Sequence, residues 1–195
     1  CHNIGGEFIQ ISPASRNCIN IMEIRKTDNT ASMQLDGETM DRSELAAKIQ
    51  RLYIFFSLLI PDMTHEERQL LDEALIQTYA EKGITHQNES LQDGAGGYKP
   101  MPILEDLYNV LKENAETKRM ANILNRLIHG SASTFNQQTN VRLDNKYIVL
   151  DISELTGDLL IYWRLGCFLL WTMSGIRRRK TERRKKLFLL MRFGS

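Results

Sequence analysis

Three sets of residues have types that could do chemistry. Paired carboxylates occur at Asp72-Glu73 and Glu105-Asp106, and a single acid, Asp151, closes the apolar run Lys146–Ile152. Two carboxylates share acid/base work only when both reach one reacting atom. Both pairs sit in segments with helical spacing, where adjacent side chains point about 100° apart, so they belong to solvated faces. Asp151 differs, because open α/β sheets place functional groups at the carboxyl ends of their strands. An acid at a strand end also serves as an ordinary cap of the next turn. The second set is the amide-rich group Gln137, Gln138, Asn140, Arg142 and Asn145. Such donors suit phosphate oxygens; they equally satisfy the backbone of an irregular loop. The third set is the basic run Arg177–Lys186, which attracts nucleic acid or anionic lipid electrostatically.

Other patterns are weaker. Gly94-Ala95-Gly96-Gly97 lacks the Lys-Ser/Thr of a phosphate loop and does not bridge a strand and a helix, so it reads as a linker. The histidines His2, His65, His86 and His129 show no metal-ligand spacing. Cys1, Cys18 and Cys167 form no CxxC pair, and an odd count with no secretory signal points to a reducing compartment. No residue is assigned as catalytic, cofactor-binding or metal-ligating.

The charge is split along the chain. In total it holds 25 basic and 24 acidic residues. Residues 159–195 hold ten Lys/Arg against one acid, Glu182, so residues 1–158 hold 15 against 23, a net of −8 beside a tail of +9. Two accounts of that tail stand. In one, the apolar run Leu159–Met173 followed by Arg177–Lys186 is a membrane-surface anchor. The run is shorter than the roughly 20 residues that span a bilayer, and it contains Arg164. In the other, the reading frame has slipped. Lys186–Gly194 (KLFLLMRFG) can be encoded so that a frame two bases on reads Ala-Ile-Phe-Ile-Asp-Glu-Val-Trp. That is an apolar strand tipped by Asp-Glu, the form of a Walker B strand. Leu170–Glu182 likewise decodes in that frame to a polar, charge-balanced helical sequence.

These residues must be positioned by recognisable elements. GGEFIQI at 5–11 predicts a short strand ended by Ser12-Pro13, and Cys18–Ile24 a second apolar segment. Residues 26–40 read as a loop. Leu45, Ile49, Leu52, Phe56 and Leu59 predict a helix over Glu44–Ile60; Ile54, Phe55, Leu58 and Ile60 widen its apolar face, and Pro61 stops it. Thr64 and Glu67 form a capping box for a helix burying Leu70, Leu71, Ala74, Leu75 and Thr78, with Gly83 as its left-handed cap. Residues 84–99 read as an exposed, mobile loop. Pro102 opens a helix with Leu104, Leu107, Tyr108 and Leu111 inside. Glu116–His129 is a further helix, burying Met120, Ile123, Leu124 and Leu127 and ending at Gly130, and Ser131–Asn145 is irregular around Phe135. Lys146–Ile152 is the clearest strand, apolar on both sides as in a parallel sheet. The layout is an α/β core interrupted by an all-α insertion: core at 1–35, insertion at 41–140, core strand and turn at 146–158, and the basic tail at 159–195.

Several motifs, in order, carry a resemblance. They are Ile11-Ser12-Pro13, Cys18–Ile24 (CINIMEI), Met101–Tyr108 (MPILEDLY), Gly130-Ser131, Phe135–Val141 (FNQQTNV) and Tyr147–Leu155 (YIVLDISEL). Over about residues 2–158 the chain resembles the motor domain of the conjugative-transfer ATPases of type IV secretion, the TraE/TraC-like, VirB-type energisers found on mobile elements. The resemblance implies a RecA-like P-loop NTPase of the FtsK/HerA group that uses ATP and Mg. It also implies hexamer-type self-association, contact with other secretion subunits and a place at the inner face of the cell membrane. The phosphate loop would precede Cys1, and the Walker B strand would follow residue 158. This chain holds neither in frame. It therefore reads as an internal fragment that does not hydrolyse ATP alone, because phosphoryl transfer rests on the phosphate cradle and metal ligands. The alternative is a non-enzymatic helical interaction module with a basic anchor. Nucleic acid is a further possible partner.

Overall fold

The structure is a computed structural model that describes residues 7–10, 16–25, 43–130, 133–141, 148–151 and 188–189. The expected loop at 26–40, Arg142, Asn145 and His2 lie outside those residues, as does the tail apart from 188–189. The chain divides into two compact units. One comprises Cys1–Ile21 with Arg126–Ser195, the other Met22–Asn125.

The first unit holds a three-stranded sheet in the order β1-β2-β3. β1 is Glu7–Gln10, β2 is Ile148–Asp151 and β3 is Phe188–Leu189. All pairings are parallel: Glu7 faces Ile148 and Gln10 faces Asp151, while Val149 and Leu150 face Phe188 and Leu189. Parallel neighbours need a long crossover, which the intervening chain supplies. Along β1 the side chains alternate as strand geometry demands: Ile9 is buried and Phe8 is 48% exposed. The segment after β1 is not a strand. Cys18, Ile19, Asn20 and Ile21 are nonetheless buried, and the Ile19 amide donates to the Thr134 carbonyl at 3.1 Å. Phe135, in a 3-10 turn at Ser133–Phe135, is fully buried.

The second unit is helical. α1 runs Glu44–Leu59, α2 His65–Glu81 and α3 Leu104–Glu113, and α4 (Lys118–His129) starts in this unit. α1 begins where Ser43 Oγ accepts from the Ala46 amide at 3.3 Å. It buries Leu45, Ile49, Leu52, Phe55 and Phe56, the two rings meeting edge to face at 5.1 Å. Ile54 does not widen this face as expected; it is 46% exposed. It lies well round the helix from Leu52 and Phe55, so the buried stripe leaves it out.

At α2 both bonds of the capping box form. The Glu67 amide donates to Thr64 Oγ1 at 3.1 Å and the Thr64 amide donates to Glu67 Oε2 at 2.9 Å. Leu71, Ala74, Leu75, Thr78 and Tyr79 are buried, whereas Leu70 is half-buried. Tyr79 donates its hydroxyl to the Met22 carbonyl, which ties the unit's first residue to its central helix. Gly83 takes the left-handed conformation at φ 70°, and the Ile84 amide closes on the Tyr79 carbonyl at 3.0 Å.

Residues 84–99 differ from the expected open loop. Ile84 and Leu91 are buried, Asn88–Leu91 is a 3-10 turn, and Gln92 and Tyr98 form a bridge. Asp93 Oδ1 accepts from the amides of Ala95 and Gly97, so the exposed tip is a hydrogen-bonded turn. The next helix starts at Leu104, two residues after Pro102, where Asp106 Oδ2 accepts from the Ile103 amide at 2.8 Å. α3 packs on α2, burying Leu104, Leu107, Val110 and Leu111 and leaving Tyr108 half-buried. A 3-10 turn at Ala115–Thr117 precedes α4, whose Met120, Ala121, Leu124, Leu127 and Ile128 are buried and whose Ile123 is half-buried.

Candidate functional site

Of the residues singled out above, Asp151 and the described part of the amide-rich group fall in two places. The first is the carboxyl edge of the parallel sheet. Register puts Gln10 of β1 beside Asp151 of β2 at the ends of their strands. Parallel strands deliver all their carboxyl ends to one side, which is where open α/β sheets take ligands. Asp151 therefore stands where a functional acid is expected, with Gln10 as a neighbour that sequence spacing does not reveal. The chain leaves this edge through Asn17, whose Nδ2 donates to the Gln10 carbonyl at 2.9 Å.

The second place is the amide-rich stretch, which closes on residues 16–20. The Cys18 amide donates to Asn140 Oδ1 at 2.7 Å, the Asn140 amide donates back to the Cys18 carbonyl at 3.2 Å, and Asn140 Nδ2 donates to the Arg16 carbonyl at 2.5 Å. The Asn20 amide donates to Thr139 Oγ1 at 2.9 Å, and Asn20 Nδ2 to Gln138 Oε1 at 3.3 Å. Gln137 Oε1 accepts from the Cys18 thiol at 3.5 Å. Burial pushes the Cys18 thiol above its ordinary pKa, so it stays a neutral, weak donor. Asn140 and Thr139 thus act on backbone and replace the ladder that the segment after β1 lacks, while Gln137 and Gln138 accept from the side chains of Cys18 and Asn20.

The carboxylate pairs do not converge. Glu73 is exposed and accepts from Gln69 Nε2 at 3.3 Å. Its neighbour Asp72 faces Tyr53, whose hydroxyl is raised well above the usual phenol range, first by burial and then by that acid. Glu105 is exposed, while Asp106 caps α3 and pairs with Lys82 at 3.1 Å. His65 and His129 are exposed, and His86 Nδ1 lies 3.3 Å from Ser43 Oγ. Among the described residues no three His, Cys, Asp or Glu gather as a metal site, and no helix is long and apolar enough to cross a membrane.

One charged cluster escaped sequence reading. Arg119 of α4 pairs with both Glu67 oxygens, at 2.8 and 2.9 Å, and with Asp62. It fastens α4 to the capping box of α2. The Thr64 amide, followed by Arg119, holds the Glu67 carboxyl below the usual carboxylate range. Only the wide separation of Asp62 and Glu67 from Arg119 along the chain hid the cluster.

With this geometry the chain can be set beside known proteins. It superposes on the structure of VirB4 of Thermoanaerobacter pseudethanolicus with a TM-score of 0.63 and 26% sequence identity. The match covers 98% of this chain and 48% of that one, so the chain spans about half the length of the structure it matches. No protein-family model and no curated protein matches it.

Proposed function

We propose that this chain is a piece of a VirB4-like ATPase that energises type IV secretion and conjugative DNA transfer. In this reading the β1-β2-β3 sheet belongs to a RecA-like P-loop NTPase core, and the helices within residues 41–140 are its all-α insertion. The observation that carries it is the superposition on VirB4 over 98% of the chain. The ordered motifs CINIMEI, MPILEDLY, FNQQTNV and YIVLDISEL support the same family. In such a motor ATP and Mg are the cofactors and copies associate around the nucleotide. The motor works at the inner membrane face with the other secretion subunits, and nucleic acid is a possible further partner.

The chain alone is inactive in this proposal. Phosphoryl transfer is positioning and charge stabilisation, and both need a phosphate cradle and metal-bound carboxylates. Neither pattern occurs in the sequence in frame. A shifted frame in the tail is part of this proposal. Phe188-Leu189 pairs parallel with β2, and it lies within the stretch that decodes two bases on to Ile-Phe-Ile-Asp-Glu. An acid-tipped strand would then lie next to β2, with its carboxyl end on the same edge as Asp151.

Two measurements test this. Purified chain incubated with Mg-ATP releases no phosphate above buffer; metal-dependent turnover would overturn the inactivity. The coding DNA carries, at Lys186–Gly194, codons that read Ala-Ile-Phe-Ile-Asp-Glu-Val-Trp two bases on; other codons would remove the shifted-frame account and leave the tail as native sequence.

A further inference from the structure

We infer that the outward face of α4 is a contact surface for the phosphate backbone of a nucleic acid. The inference stands on the charge of one helix and does not require the chain to be part of an ATPase. At 3.6 residues per turn, Lys118, Arg119, Asn122, Arg126 and His129 fall within one arc of about 100°. All five are exposed. The opposite arc, carrying Met120, Ala121, Leu124, Leu127 and Ile128, is buried. No acid occurs anywhere between Thr117 and Leu143, although residues 1–158 are net negative. Arg119 is already engaged by Asp62 and Glu67. Among the described residues, Lys118 and Arg126 form no ion pair. They rise along the helix with Asn122 midway, in steps of about 6 Å.

The chemistry of this arc selects the occupant. It offers cationic, amide and imidazole donors and no Phe, Tyr, Trp or large aliphatic side chain. A membrane-surface helix needs an apolar face to insert, and here that face is buried in the protein. A tight protein interface is anchored by buried aromatic or aliphatic side chains, which the arc lacks. Base stacking along a single strand needs successive aromatic platforms, and the arc holds one imidazole and no Phe, Tyr or Trp. Repeated phosphates ask only for spaced donors of positive charge, and such contacts position without reading sequence.

The test uses the full chain and a fluorescent random-sequence DNA duplex, with anisotropy recorded over a range of salt. K118E/R126E is compared with R68E/K112E, which makes the same charge change on α2 and α3. The basic tail is identical in both, so its contribution cancels. Loss of two phosphate contacts should make the slope of log K against log salt shallower by about 1.8. Affinity at low salt should fall about tenfold or more, while the control pair stays near the parent. Equal effects in both variants would reduce the result to net charge and overturn the inference. Circular dichroism confirms that both variants fold. Sedimentation without DNA supplies the other arm. A changed oligomeric state confined to K118E/R126E would make the arc a contact between copies and would likewise overturn it.

Discussion

Asn140 shows how one side chain can stand in for a strand pairing. Its carbonyl oxygen, its amide nitrogen and its backbone N–H all bond to Arg16 or Cys18, more than a hundred residues away in sequence. Asn140→Ala leaves the Cys18 amide without that acceptor. The expected loss is about 1.5 kcal/mol of unfolding free energy, measured by urea titration with an unchanged m value. Asn140→Asp keeps the acceptor but removes the donor to Arg16, and should retain part of the loss. Glu67 makes a second residue-scale case. Its folded pKa is depressed, so it contributes stability at neutral pH, and that contribution fades as pH falls through the acid range where the folded carboxyl takes up its proton. Glu67→Gln should therefore flatten the acid side of a thermal-melting pH profile and leave the profile above neutrality parallel to the parent. A Glu67→Gln profile with the parent's acid limb would refute that role for the carboxylate.

At the scale of elements, local chemistry carried well where it is self-contained. The Thr64-Glu67 capping box, the left-handed Gly83 and the Pro61 stop are patterns a few residues wide, and each element end appears where those residues put it. Gly83→Ala places a Cβ at φ 70° and 3.3 Å from Lys99 Nζ, which also donates to the Gly83 carbonyl. It should cost about 1–2 kcal/mol, read as a lower melting temperature with unchanged helix content. Local patterns mislead where the partner is remote. Residues 84–99 have few apolar side chains, yet Leu91 and Ile84 are buried and Asn88 accepts from the Glu44 amide at 2.9 Å. Tyr98 donates its hydroxyl to the nearly buried Glu44 at 3.3 Å. No periodicity signals a loop that is held by a distant helix start. Ile54 erred the other way, since hydrophobicity alone does not say which arc of a helix finds a neighbour.

For the whole molecule, the split of charge and the ordered motifs were visible in the letters, and the superposition on VirB4 agrees with the family those motifs resemble. What holds Met22–Asn125 together is ordinary close packing. Leu75 is fully buried among the helices, so Leu75→Ala should cost roughly 2–5 kcal/mol in a denaturant titration, partly as a cavity.

The chain by itself determined the limits of α1 and α2, the Thr64-Glu67 and Gly83 caps and the charge, because these depend on side chains within a few positions of one another. Only the tertiary structure decided that Gln10 stands beside Asp151, that Asn140 and Thr139 tie down Arg16–Asn20, and that Arg119 joins Asp62 to Glu67. Those pairings join residues tens to more than a hundred positions apart, and whether they form depends on burial and bonding outweighing the entropy lost in loop closure, which leaves no local spacing to read.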